Sequence, residues 1–171
     1  MPARKQQAIE RLGMGVYDTL FLCFPKVFWD DTNIISWQSD QNGAWSNWFN
    51  LARVTQSPIL CSLYGADVAR RIEGMSDAEA VHAAMKVLRT LYGPDIPEPC
   101  AYRRTRWASD PYARGSYSYP AVGSSSRDRS ALGDSIADRL HFAGEATSLE
   151  MSGTVHGALV SGWREARNIL A

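Results

Sequence analysis

Residues 139–166 read RLHFAGEATSLEMSGTVHGALVSGWREA. Arg139 to Gly144 is a short extended run that ends at glycine, and a helix is predicted from Thr154 to Leu170. Val155, Ala158, Leu159, Trp163, Ala166, Ile169 and Leu170 recur on one face of that helix. The small residues Gly157, Ser161 and Gly162 let another backbone approach it closely. Gly144 has no Cβ to keep a ligand away from the strand end. Glu145 follows at once and can accept hydrogen bonds from ligand hydroxyls. The first amides of the helix, near Gly153-Thr154, have no partner inside it, and the helix dipole is positive there. That end suits an electron-rich group, such as a phosphate or a carbonyl edge. Strand-glycine-acid-helix units also occur with no ligand at all.

Upstream, the pattern changes from strands to helix and back to loop. Ala8 to Leu12 ends a helix, closed by Gly13 and Gly15. Val16–Phe24, Val27–Trp29, Ile34–Trp37, Trp45–Ala52 and Pro58–Leu63 read as strands, with Asn42-Gly43 as a turn. Clustered strands of this kind predict one antiparallel sheet. Ser76 with Asp77 and Glu79 starts a helix on which Val81, Met85, Leu88 and Leu91 are periodic, and Gly93-Pro94 stops it. Asp67 to Ile72 reads as a shorter helix and Ala101 to Trp107 as a strand. Residues 109–133 are rich in Gly and Ser, but Tyr112, Tyr117 and Tyr119 are interleaved. Disordered segments are poor in aromatics, so an ordered, buried loop is expected.

The 171 residues suffice for one ordinary domain. Lys plus Arg and Asp plus Glu are balanced at 18 each, so no net field attracts nucleic acid or an anionic membrane. No apolar run approaches the ~18 residues of a membrane helix. Cys23, Cys61 and Cys100 are odd in number and widely spaced, which argues against a disulfide framework and a zinc site and for a reduced, cytoplasmic protein. His82, His141 and His156 do not cluster, so no metal is expected. No nucleophile elbow is present.

FAGEATS followed by SGTVHGALVSGWREA resembles the C-terminal signature of the flavin-containing amine oxidases, the family of polyamine and monoamine oxidases and histone lysine demethylases. Leu12-Gly13-Met14-Gly15 through Phe28-Trp29-Asp30, then Asn50-Leu51 to Pro58-Ile59-Leu60, resemble the family's preceding segments in order. Arg106-Trp107 through Asp110-Pro111 and Arg114-GSYSYPAVGSS resemble its loop beside the flavin ring. The likeness is nearest to the polyamine oxidase and demethylase branch. It implies an α+β fold: a partial, mixed-sheet substrate domain at residues 5–105, then the last strand and helix of a Rossmann-like FAD domain at 106–171.

The resemblance also implies roles. Gly144 and Glu145 would bind the ribityl or pyrophosphate region of FAD. Thr154 and Val155 would present backbone amides to the flavin pyrimidine edge, and Trp107 would pack by the isoalloxazine. Tyr117 would wall the amine pocket, with Phe49 lining it; from the residues alone, Tyr117 and Trp107 read first as ordinary core aromatics. Thr19 stands at the catalytic position where the family usually has a lysine that holds a water against flavin N5. Threonine can hydrogen-bond water but lacks charge and reach. Ser116 stands where monoamine oxidases carry a flavin-linked cysteine, so FAD would be non-covalent. The family's GxGxxG turn has no counterpart here, since Gly13-Met14-Gly15 is followed by Val16-Tyr17-Asp18. The expectation is therefore the C-terminal part of an enzyme that oxidises an amine to an imine and yields hydrogen peroxide. FAD is expected only together with an N-terminal half. That half, or a second copy of the chain, is the expected partner. The alternative is a truncated, inactive remnant serving as a binding or interaction module.

Overall fold

The computed structural model describes residues 1–38 and 44–170; the expected Asn42-Gly43 turn lies outside them. The chain divides into two compact units, Met1–Gly15 with Gly115–Ala171, and Val16–Arg114. The first unit opens with α1 (Ala3–Arg11) and β1 (Gly13–Gly15). The second runs through β2 (Tyr17–Cys23), β3 (Ile34–Ser36), β4 (Asn47–Asn50), α2 (Ala52–Thr55), β5 (Ile59–Gly65), α3 (Ala66–Glu73), α4 (Asp77–Tyr92) and β6 (Ala101–Arg104). The chain then completes the first unit with β7 (Tyr117–Tyr119), α5 (Ser126–Gly133) and α6 (Val155–Leu170). The sequence alone places this boundary near residue 105 and keeps the first residues with the substrate domain.

Val16–Arg114 is a five-stranded sheet in the order β3-β4-β5-β2-β6, with helices on one face. Among the described residues its ladders are antiparallel throughout, as the strand clustering predicts, with no parallel pair of the kind a mixed sheet would add. Strand alternation sorts the side chains. Leu20, Leu22, Trp48, Leu60 and Tyr64 pack against Ala69 and Ile72 of α3 and Ala80, Ala84, Met85 and Leu88 of α4. The opposite face carries Thr19, Phe21 and Cys23, with Leu63, Cys61, Ile59 and Phe49 in register beside them. α4 starts at a capping box: the Glu79 amide donates to Ser76 Oγ, and the Ser76 amide donates to Glu79 Oε2 at 2.8 Å. Val27–Trp29, expected as extended, is instead an aromatic corner, with Phe28 edge-on to both Phe24 and Trp29.

In the other unit, β1 and β7 pair with each other, and α1 packs on α5. α5 falls inside the stretch expected as loop. A second capping box explains it, with Asp128 Oδ2 accepting the Ser125 amide at 2.7 Å. The expected strand at Arg139–Gly144 makes no ladder. Among the described residues, Ile136 and Leu140 form an isolated bridge there and nothing more. Phe142 is covered instead by Lys5, whose Nζ lies 3.8 Å from its ring centre and donates to Leu132 O at 2.6 Å. α6 buries Gly157, Ser161 and Glu165, a stripe of spacing four. The apolar face predicted from its sequence is the exposed one: Val155 is 88% exposed, Trp163 55% and Ile169 63%.

Candidate functional site

The site residues of unit Met1–Gly15/Gly115–Ala171 gather around one carboxylate. Glu145 Oε1 accepts the Ser118 amide at 2.7 Å; Oε2 accepts the Ser118 hydroxyl at 3.0 Å and the Gly153 amide at 2.5 Å. One side chain thus ties β7 to the turn that starts α6. A carboxylate offers about four acceptor positions, so about one remains for a ligand hydroxyl. Gly144 has φ +133°, a conformation side-chain-bearing residues rarely adopt, and its amide donates to Ser161 Oγ at 2.8 Å. Thr154 caps α6: its hydroxyl donates to Met151 O at 2.6 Å and accepts the Gly157 amide at 3.0 Å. The Val155 and His156 amides, at the open end of α6, have no intrahelical acceptor. Tyr117 stands on β7 beside this cluster, 42% exposed.

Three residues that the sequence does not single out build the frame. Arg129 is buried; its Nη1 donates to Ser118 Oγ at 2.8 Å and Ala146 O at 3.2 Å. Its Nη2 is buried with no partner. Arg164 Nη2 donates to Phe142 O at 2.9 Å and Thr147 Oγ1 at 3.1 Å, so it fixes both sides of the glycine turn. Glu165 accepts from Arg164 and pairs with His141 Nδ1 at 3.1 Å. Burial would raise the Glu165 carboxyl, but these hydrogen bonds outweigh it and hold it low. Ser125-x-x-Asp128 is the readable signal for the helix that carries Arg129. A cleft of about 460 Å³ over the 147–151 loop is lined by Thr147, Met151, Ser161 and Arg164, and by none of the sequence-predicted residues.

Thr19, Phe49 and Trp107 lie in Val16–Arg114. Thr19 and Phe49 share the face of the sheet turned away from α3 and α4, and a cavity of about 510 Å³ opens there beside Phe21, Cys23 and Ile59. The Thr19 amide donates to Thr105 Oγ1 at 2.9 Å, and its carbonyl accepts the Thr105 amide at 3.0 Å. Trp107 follows β6, is 42% exposed, and donates its amide to Asp18.

The model of the flavin containing amine oxidoreductases matches residues 1–170. The chain belongs to this family. It is 41% identical over 177 aligned residues to lysine-specific histone demethylase 1 homolog 1 of Oryza sativa subsp. japonica, covering 99% of this chain and 21% of that protein. It is 40% identical to lysine-specific histone demethylase 1 homolog 2 of Arabidopsis thaliana, covering 99% of this chain and 24% of that one. The chain therefore spans between a fifth and a quarter of the length of these relatives. A solved putrescine oxidase double mutant, made in a redesign of cofactor binding, superposes with a TM-score of 0.79 at 19% identity over 99% of this chain and 38% of its own. That likeness supports the fold.

Family membership implies a flavin, and the residues present fit one. The orphaned Arg129 Nη2, the remaining acceptor of Glu145 and the Val155 and His156 amides would meet its polar edges. Gly144 has nothing within 4 Å of where a Cβ would stand.

Proposed function

We propose that the chain is the C-terminal part of an FAD-dependent amine oxidase that converts an amine to an imine with production of hydrogen peroxide. The carrying observation is the Glu145–Ser118–Gly153 clamp, within a chain that matches the family over residues 1–170. Bound FAD supplies the two-electron oxidation. Ser116 has no thiol, so FAD is held without a covalent link. Gly144 and Glu145 fix the turn on its ribityl side, while Thr154 and Val155 set the α6 amides against its pyrimidine edge. Trp107 packs by the ring. Tyr117 and Phe49 supply aromatic walls that orient the amine, and Thr19 holds a water by its hydroxyl. We also propose a reducing, cytoplasmic setting, in keeping with the free thiols of Cys23, Cys61 and Cys100. A complementary N-terminal chain is the proposed partner.

The 171 residues carry no GxGxxG turn for the dinucleotide pyrophosphate. The purified chain is therefore expected to be colourless in the flavin absorption bands, and to acquire a flavin spectrum when mixed with a family N-terminal half. Stoichiometric flavin on the chain alone would overturn this. In that reconstituted enzyme, Thr19→Lys is expected to speed amine-dependent flavin bleaching by about tenfold or more, since an ammonium positions water better than a hydroxyl. An unchanged or slower rate in stopped flow removes the assignment of Thr19. The second reading, a non-catalytic interaction module, draws on Thr19 and the exposed apolar face of α6. No bleaching by any amine, even with Thr19→Lys and bound flavin, would favour it.

A further inference from the structure

Asp18 sits on β2 on the helix-covered side of the sheet and is fully buried. Its Oδ1 accepts the Thr105 hydroxyl at 2.7 Å and the Trp107 amide at 3.1 Å. Its Oδ2 is buried and meets no donor. The group within hydrogen-bonding reach is another carboxyl, that of Glu73 at the end of α3. Glu73 is itself occupied. Oε1 accepts the Ala108 amide at 2.8 Å, and Oε2 accepts the Ser109 amide at 2.9 Å and the Ser109 hydroxyl. Two ionised carboxylates this close repel each other, the more so where one of them, Asp18, is fully buried, whereas one proton between them makes a strong hydrogen bond.

We infer that Asp18 is protonated and donates from Oδ2 to the Glu73 carboxylate, and that this pair is the positioning device for the segment carrying Trp107. The significance of Trp107 rests on the proposed function; the shared proton does not. The pair grips the chain at four points: the Thr105 hydroxyl and the amides of Trp107, Ala108 and Ser109. Thr105 in turn brackets Thr19 through both backbone groups. One proton thus holds Thr19 and Trp107 in a common frame.

The surroundings favour that protonation. Burial pushes the Asp18 carboxyl up. Burial acts the same way on Glu73, but the bonds from the Ser109 side chain, from Asp18 and from the Ala108 and Ser109 amides outweigh it and bring Glu73 down. Tyr64 on β5 faces the pair, and the charges of Arg104 on β6 and Arg106 beyond it reach Tyr64, with Asp77 at the start of α4 beside both arginines. Both arginines are engaged by Asp77, and Arg104 also donates to the carbonyls of Ile72 and Met75. Tyr64 is pushed up by burial and by Asp18, so it stays neutral.

The folded protein keeps a proton that an unfolded aspartate has lost. The contribution of Asp18 is therefore full at low pH and falls as pH rises above the unfolded carboxyl value, until the shared proton leaves. The opposite contribution of Glu73 is complete by about pH 5. Asp18→Asn substitutes an amide that donates to Glu73 and keeps Oδ1 as acceptor. Thermal midpoints of the flavin-free chain and of D18N, taken from about pH 5 to pH 9, should separate in favour of D18N by roughly 3–5 °C per pH unit. The gap should become constant once the proton is lost. Parallel profiles overturn the inference. The infrared C=O band of a buried protonated carboxyl should persist in the unsubstituted chain at neutral pH and vanish where the gap stops growing; its absence at neutral pH overturns the inference without any variant. Hydrogen exchange at residues 107–109 tests positioning. It should quicken about tenfold in Asp18→Ala and stay unchanged in D18N; equal exchange in the two variants overturns the positioning role. These readouts use no flavin, so their failure and that of the proposed function are separable.

Discussion

Gly157→Ala should lower the thermal midpoint of the unit that contains α6 by roughly 5–15 °C and abolish flavin capture in the reconstituted enzyme. A Cβ at Gly157 would overlap the carbonyl oxygen of Met151 and stand 2.9 Å from its carbonyl carbon and 3.0 Å from Thr154 Oγ1. Backbone cannot yield as a flexible side chain does. The 151–154 turn would have to move, and with it the Thr154 cap and the Gly153 amide bound to Glu145. Overpacking of this kind and the loss of a cap together cost about 2–5 kcal/mol. Gly162→Ala is the internal control. Nothing lies within 4 Å of its Cβ position, so the helix should gain about 0.5–1 kcal/mol from the lower chain entropy of alanine. If differential scanning calorimetry finds the two variants alike, the close approach of helix and loop is not what fixes this turn.

Gly157 also marks how far the sequence could be read. The small residues of α6 were legible as places of close backbone approach, and Gly157 and Ser161 are buried. The burial of a polar stripe beside them was not. Periodicity reports where the apolar stripe lies on a helix, but not whether the same chain supplies its cover. Here the covered stripe is polar: Ser161 bonds the Gly144 amide, and Glu165 bonds Arg164 and His141. α4 was legible because capping box, apolar period and Gly-Pro stop agree. α5 was missed because its box, Ser125 to Asp128, lies in a Ser-rich stretch that reads as loop. Among the site residues, glycine and acid announced the Gly144-Glu145 turn. The pairing of Glu145 with Ser118 and of Asp18 with Glu73 joins residues 27 and 55 positions apart, and one-dimensional patterns carry no such information. Both pairings place a carboxyl under backbone amides. In both, the side chain acts on the candidate site by fixing the chain beside it.

The 171-residue chain should self-associate in solution, and Trp163→Glu should weaken that association by about 30-fold or more while leaving the fold intact. On α6, Val155 is 88% exposed, Leu159 52%, Trp163 55%, Ile169 63% and Leu170 87%. Five large apolar residues on one helix form a contiguous patch of the sort that marks an interface or an aggregation liability. Trp163, Ala166, Arg167 and Leu170 line a shallow hollow of about 370 Å³ on this face, which a neighbouring side chain can fill. Covering each large side chain contributes roughly 1.5–3 kcal/mol, and an aromatic anchor near the centre contributes most. The complementary N-terminal half proposed above would compete for the same helix, so its addition should dissolve the self-associated form as the flavin spectrum appears. The carboxylate introduced by Trp163→Glu would instead face water, on a helix whose internal contacts run through Gly157, Ser161 and Glu165, so the variant's circular dichroism should match the parent. Light scattering across a concentration series reads the association directly. A parent chain that stays monomeric at every concentration would overturn the prediction, and a Trp163→Glu variant that unfolds would show that this side of α6 is packed within its own unit.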